Sequence, residues 1–156
     1  MAAPSRRYWL VKTEPETFSF TDLEKNPDTG WDGVRNYQAR NNLKAMNVGD
    51  PVLVYHSNTT VPGVVGAATV TEGHQPDPTQ FDDRSPYYDP ASARENPRWY
   101  WVRLRAVHPL ELVSLEQLKH MPELAGSQLT AKGNRLSVVE LTRAQYQAIV
   151  KAGKAR

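Results

Sequence analysis

The side chains able to do chemistry fall into a few short clusters. Lys12-Thr13-Glu14 and His56-Ser57 are the only compact sets combining acid, base and nucleophile types. On an extended strand neighbours alternate faces, so Lys12 and Glu14 point one way and Thr13 the other. The three converge only where the strand breaks, which Pro15 allows. His56 and Ser57 meet the same obstacle, and a hydrogen-bonded strand end is the simpler reading of both. The four histidines (His56, His74, His108, His120) show no H-x-x-x-H or H-E-x-x-H spacing, so no metal site is expected. Asp77, Asp82, Asp83 and Asp89 lack EF-hand spacing and read as solvated turn aspartates. No G-x-x-x-x-G-K-[ST], G-x-G-x-x-G or G-x-S-x-G occurs, which removes the common phosphate cradles and the nucleophile elbow.

The aromatic residues point to binding instead. Trp31, Tyr37, Tyr55, Tyr87, Tyr88 and Trp99 lie in or beside segments without periodicity. Indoles among glycine and polar residues suit flat π-faced ligands such as nucleobases, and stacking is worth about 1–3 kcal/mol per base. Core filling is the competing use of any one of them. Trp31 is the least easily dismissed: Gly33 permits close backbone approach, and Asp32, Arg35 and Asn36 surround the indole with polar groups.

The elements that must position these residues follow from periodicity and punctuation. Tyr8–Lys12 reads as a strand stopped by Glu14-Pro15. Thr21-Asp-Leu-Glu24 matches a capping box, predicting a short helix to about Lys25. Asn36 caps a helix through Met46, with Ala39, Leu43 and Met46 on one face. Pro51–His56 and Pro62–Thr71 form two strands joined by a polar turn. Residues 72–98 hold five of the twelve prolines and read as one long loop. Trp99–His108 alternates as a strand. Ser114-Leu-Glu-Gln117 and Thr142-Arg-Ala-Gln145 open helices ending near Lys119 and Lys151, with a short strand Leu136–Leu141 between them. The order β-α-α-β-β-loop-β-α-β-α predicts an α+β fold: a mixed, mainly antiparallel sheet, curved or closed into a barrel and flanked by short helices.

Composition bounds the function. The chain has 156 residues, no cysteine, and 39% apolar content. That suits one globular domain and excludes disulfide frameworks, thiolate metal sites and cysteine nucleophiles. No apolar run approaches ~20 residues, and Met1–Arg7 has no apolar signal core, so a cytoplasmic location is the default. The net charge of +2 is mild, but from Gly126 onward six Lys/Arg face one acid, Glu140. Glu72–Arg98 instead carries six acids against three arginines. Such asymmetry suits a one-sided electrostatic footprint as well as it suits a solvated tail and loop.

Eight ordered motifs run through nearly the whole chain. They are Trp9-Leu-Val-Lys-Thr-Glu-Pro15, Trp31-Asp-Gly-Val-Arg-Asn-Tyr-Gln-Ala-Arg-Asn41, Gly49-Asp50, Tyr55-His-Ser57, Pro62-Gly-Val-Val-Gly66, Tyr88-Asp-Pro90, Trp99 and Arg135-Leu-Ser-Val138. Together they resemble the EVE domain, in particular the thymocyte nuclear protein group and its bacterial relatives. The resemblance implies a PUA-like curved β-barrel related to YTH and ASCH domains, spanning 8–151 between an N-terminal tail (1–7) and a basic C-terminal tail (152–156). It implies a reader that binds a modified nucleobase, a cytosine derivative above all, flipped out of DNA or RNA, with no cofactor.

The pocket implied by the resemblance has Lys12 and Thr13 at its mouth and Trp31 as a stacking wall. Val34, Arg35 and Asn36 form the rim, Tyr55, His56 and Ser57 the opposite side, and Arg135 and Ser137 close it. Thr13 stands where the family often has serine, which adds a methyl group and keeps the hydroxyl. Arg35, Arg40, Lys44, Lys132 and Arg135 are expected to meet phosphates. The protein is expected to be a monomer acting through an effector protein. ASCH relatives include small amidohydrolases, so a hydrolase of modified nucleosides using Lys12, Thr13 and Glu14 is the alternative.

Overall fold

The computed structural model describes residues 6–131 and 136–154. Its elements run β1 (Tyr8–Thr13), α1 (Phe20–Lys25), β2 (Thr29–Gly30), α2 (Tyr37–Ala45), β3 (Pro51–His56), β4 (Gly63–Pro76), β5 (Tyr100–Ser114), α3 (Leu115–Lys119), β6 (Val138–Leu141) and α4 (Arg143–Ala152), with three short 3-10 turns. All six strands form one mixed sheet in the order β2-β5-β4-β3-β1-β6, with β2 and β6 at its edges. β1 and β3 are parallel, and every other pairing is antiparallel. A parallel pair cannot be joined by a tight turn, and the α1-β2-α2 excursion supplies the crossover. That excursion carries Trp31 and its polar neighbours back over the sheet.

β1 and β3 are buried on both faces, with Trp9, Leu10, Val11, Val52, Leu53 and Val54 fully enclosed. This is the usual condition of strands covered by helices on either side. β4 and β5 pair through four register shifts. Bulges of this kind increase twist and bend a long hairpin, so the sheet curves around its core.

Most expected elements are present, and the differences have local causes. α1 is capped by Ser19 rather than Thr21: Ser19 and Asp22 make the reciprocal capping bonds (3.1 and 2.8 Å). The earlier start buries Phe20 and lets its amide donate to His56 Nε2 (3.0 Å). β2 went unpredicted because two residues show no periodicity; Gly30 pairs with Arg103 and the Trp31 amide donates to Val102 (2.9 Å). β4 runs five residues past Thr71 and β5 six past His108.

Residues 72–98 are therefore not one unstructured loop. After β4 comes a 3-10 turn, Pro78–Phe81, and the remainder folds around two fully buried polar side chains, Asp77 and Gln80. Gln80 donates to the Asp77 and Trp99 carbonyls (both 2.8 Å) and accepts from Ser92 Oγ (2.6 Å) and the Trp99 amide (3.1 Å). Asp77 is thus no solvated turn aspartate.

The ends also hold more than the expected 8–151. Arg7 makes a bidentate pair with Glu140 (2.8 and 2.7 Å), Arg6 donates to the Gly49 carbonyl, and Glu111 N bonds the Gly153 carbonyl (2.8 Å). No helix among the described residues is long and apolar enough to cross a membrane.

Candidate ligand-binding site

β1 ends where its sequence breaks. After Thr13 the chain turns at Glu14-Pro15, the Thr17 and Phe18 amides return to the Glu14 carbonyl (3.0 and 2.9 Å), and Thr13 Oγ1 donates to the Phe18 carbonyl (2.7 Å). This turn brings Lys12, Thr13 and Glu14 to the edge of one cavity of about 640 Å³. Thr29–Arg35 forms a second wall, Thr17 and Phe18 a third, and Pro86-Tyr87 overhangs it, with Ser137 at the β6 side.

The Trp31–Arg35 wall is held by the 77–99 segment. Gly33 has φ +79°, and a Cβ there would stand 2.6 Å from the Tyr87 ring, so both backbone and space demand glycine. Its amide donates to Asp77 Oδ2 (2.9 Å). Arg35 pairs with the same oxygen (3.1 Å), donates twice to the Tyr87 carbonyl (3.1 and 2.8 Å), and reaches Thr79 Oγ1 (3.1 Å). Its guanidinium also lies over the Tyr87 and Trp99 rings. Arg35 is consequently a clamp, and its donors are not available to a phosphate as the sequence reading had them.

Trp31 is 7% exposed and meets Phe18 edge-on at 6.0 Å between centroids. The indole serves core and cavity wall at once. Beside it Asp32, an exposed residue, has its carboxyl pKa pushed up by partial desolvation, then by the charge of Asp77, against an opposing effect of Arg35. Lys12 is half-buried, and no carboxylate among the described residues pairs with it; its ammonium lies 5.3 Å from the Tyr55 ring centroid. Burial pushes its pKa down.

Six of the expected pocket residues meet at this cavity: Lys12, Thr13, Trp31, Val34, Arg35 and Ser137. Tyr55 and Ser57 do not form the wall opposite Trp31. Lys12 and Tyr55 are register partners on parallel strands, and Tyr55 and Ser57 line a second cavity on the far side of Lys12. His56, one position out of phase, turns to α1 and lines neither cavity. Asn36 is exposed and its Oδ1 accepts from the Ala39 amide (2.9 Å), so it caps α2 and is not on the rim.

Arg40 and Lys44 lie on α2, each 4.8 Å from a ring centroid, over Tyr37 and Tyr100, and Arg40 also donates to the Arg98 carbonyl (3.1 Å) and to Asn41 Oδ1 (3.2 and 2.9 Å). Lys132 and Arg135 lie outside the described residues. Sequence reasoning missed Phe18 and Pro86 as wall residues and counted Tyr87 among the binding aromatics without placing it in this pocket, because their distance along the chain hides the contact; Asp32 was legible as a polar neighbour of the indole.

An uncompensated ammonium held partly out of water costs folding free energy. A lysine whose folded pKa is depressed destabilises the fold below that pKa, and the cost fades as pH rises toward the ordinary value of 10.5. Lys12→Met is therefore expected to raise Tm at pH 7, with the gain shrinking as pH rises toward 10.5. Thermal melts across pH test this; a lower Tm for Lys12→Met at pH 7 would overturn it.

Known proteins resemble this chain over nearly its whole length. The EVE domain family profile matches residues 7–152. Thymocyte nuclear protein 1 of Rattus norvegicus is 40% identical over 162 residues, covering 92% of this chain and 72% of the relative. A crystal structure of a Pseudomonas syringae protein superposes with TM-score 0.90 at 39% identity, over 93% of this chain and 98% of that one. Human THYN1 protein, solved in complex with 5-methylcytosine-containing DNA, superposes with TM-score 0.86 at 36% identity, over 96% and 99%. A YTH domain from Zygosaccharomyces rouxii, at 16% identity and TM-score 0.57, shares the fold. This chain belongs to the EVE domain family.

Proposed function

We propose that this protein binds a modified cytosine extruded from DNA or RNA into the cavity beside Trp31. The make-up of that cavity carries the reading: an indole wall, an ammonium at the mouth and a carboxyl next to the indole. The complex of the human relative with 5-methylcytosine-containing DNA supports it.

Extrusion costs a few kcal/mol in a duplex and least in a single strand. Stacking on Trp31 offsets about 1–3 kcal/mol of that. A cytosine edge presents an amine donor beside ring acceptors. Asp32 is the acceptor for that amine, the Ser137 hydroxyl offers a donor, and Thr13 sits at the entrance. Lys12 takes the phosphate of the extruded nucleotide, with Arg40 and Lys44 as outer backbone contacts. Val34 and the Arg35 stem complete the apolar lining. The reading includes a single PUA-like domain whose curved sheet approaches a barrel, and a cytoplasmic monomer whose output passes through a partner protein.

Burying one extra methyl is worth about 0.8 kcal/mol, about fourfold in affinity. Selectivity for a methylated over an unmodified cytosine is thus a modest factor resting on a larger pocket affinity. The test is binding to short single- and double-stranded oligonucleotides, each with one modified cytosine, adenine or uracil, at two salt concentrations. Selective binding to one modified cytosine is expected, weakening with log[salt] by about 0.7 per phosphate neutralised on single strands. Asp32→Asn, which turns an acceptor into a partial donor, is expected to reduce the preference for cytosine over other bases. Equal binding of every oligonucleotide would refute the reading.

A further inference from the structure

The second cavity, about 570 Å³, opens on the other side of Lys12 and shares only that residue with the first. Its walls are Pro62, Leu115 and Leu129, and its polar groups include Lys12, Lys119, Tyr55 and Ser57. No carboxylate among the described residues lines it, although the neighbouring Glu14 lines the first cavity and accepts from the Asn58 side-chain amide (3.1 Å). Tyr55 is only 4% exposed, yet its hydroxyl makes no hydrogen bond among the described residues. Burial raises its pKa, so it stays a neutral donor. The residue is enclosed, but its unbonded hydroxyl is open to the cavity, where it can donate to a ligand that displaces water. Lys119, at the end of α3, is exposed and joins no ion pair among the described residues.

These groups describe an acceptor-rich, anionic ligand with a flat apolar body. The shared Lys12 narrows the choice further, because one ammonium reaches whatever joins the contents of the two cavities. In a polynucleotide that joint is a phosphodiester. We propose that the second cavity receives the nucleotide adjacent to the extruded one: its base lies against Leu115 and Leu129, Tyr55 donates to it, and the linking phosphate sits on Lys12, with Lys119 on the next phosphate. The protein then reads two consecutive nucleotides. The proposal rests on the base-binding reading above.

The experiment measures binding of the full chain to a short single-stranded DNA with one 5-methylcytosine. In parallel strands a tetrahydrofuran abasic residue replaces the nucleotide on its 5′ side, on its 3′ side, or four positions away. Because the second cavity lies on one side of Lys12, an abasic residue on one side only is expected to weaken binding about five- to tenfold, the scale of one lost hydrogen bond with its apolar contact. The distant one is expected to change nothing. Tyr55→Phe and Lys119→Ala are each expected to weaken the intact strand severalfold and to shrink the abasic penalty, since the variants and the missing base remove the same contact. Melting curves confirm that both variants fold.

If neither adjacent abasic residue matters while the preference for 5-methylcytosine over cytosine persists, the second-cavity proposal falls and the base-binding reading stands. If no strand shows a preference for any modified base, both fall.

Discussion

Asp77→Ala is expected to cost about 3–5 kcal/mol of folding stability, the range for breaking a buried ion pair from one side. The carboxylate is fully enclosed and accepts from the Gly33 amide (2.9 Å), Arg35 Nη1 (3.1 Å), the Thr79 amide (2.8 Å) and Thr79 Oγ1 (2.6 Å). Removal leaves the Arg35 charge and two amides without their acceptor in a site water enters poorly. The consequence reaches the cavity, because Arg35 carries the Tyr87 carbonyl and the overhang of Pro86-Tyr87. Asp77→Asn keeps the shape but sets an amide N–H against donors, so it is expected to cost less than alanine while still loosening the overhang. Urea denaturation monitored by tryptophan fluorescence reads the stability change as a lower midpoint at unchanged slope. An Asp77→Ala midpoint equal to that of the parent would show that the hub carries no energy.

The second large effect is at Trp31. Its ring packs with the core and edges Phe18, so Trp31→Ala is expected to cost about 3–5 kcal/mol of stability besides any loss of binding. The two losses must be separated. Trp31→Phe retains an aromatic face and most of the packing, so it is expected to fold. Its smaller stacking area should weaken binding to the modified oligonucleotide severalfold. Trp31→Ala, assayed well below its melting temperature, should lose about 5- to 150-fold, the equivalent of about 1–3 kcal/mol of base stacking. Both variants binding as tightly as the parent would remove Trp31 from the site and leave it a core residue only.

Local rules carried much of the secondary structure. Asn36 at the start of α2, Ser114 with Gln117 and Thr142 with Gln145 all cap as their spacing demands, because a capping bond is decided within four residues. The same rule explains the misplaced start of α1. Ser19-x-x-Asp22 and Thr21-x-x-Glu24 both satisfy the pattern, and the tie is broken by burial of Phe20 and by His56, 36 residues away. Residues 72–98 defeated local reading for a related reason. Their organising side chains are polar and inside, so hydropathy scores them as loop while Asp77 and Gln80 build a scaffold by hydrogen bonds.

The candidate site divides along the same line. The break of β1 at Glu14-Pro15, the glycine beside Trp31 and the supply of aromatic and basic groups are properties of short segments, and the ordered motifs carry the family. The sequence by itself determined those. Which residues share a cavity depended on register and alternation across strands far apart in the chain. Lys12 beside Tyr55 puts Tyr55 and Ser57 into a second cavity, His56 falls on the opposite face, and Arg35 is taken up by Asp77 and Tyr87. The tertiary structure alone decided these placements, because a side chain's partners are set by which long-range pairings satisfy every buried charge and hydrogen bond together, and no single segment contains that balance.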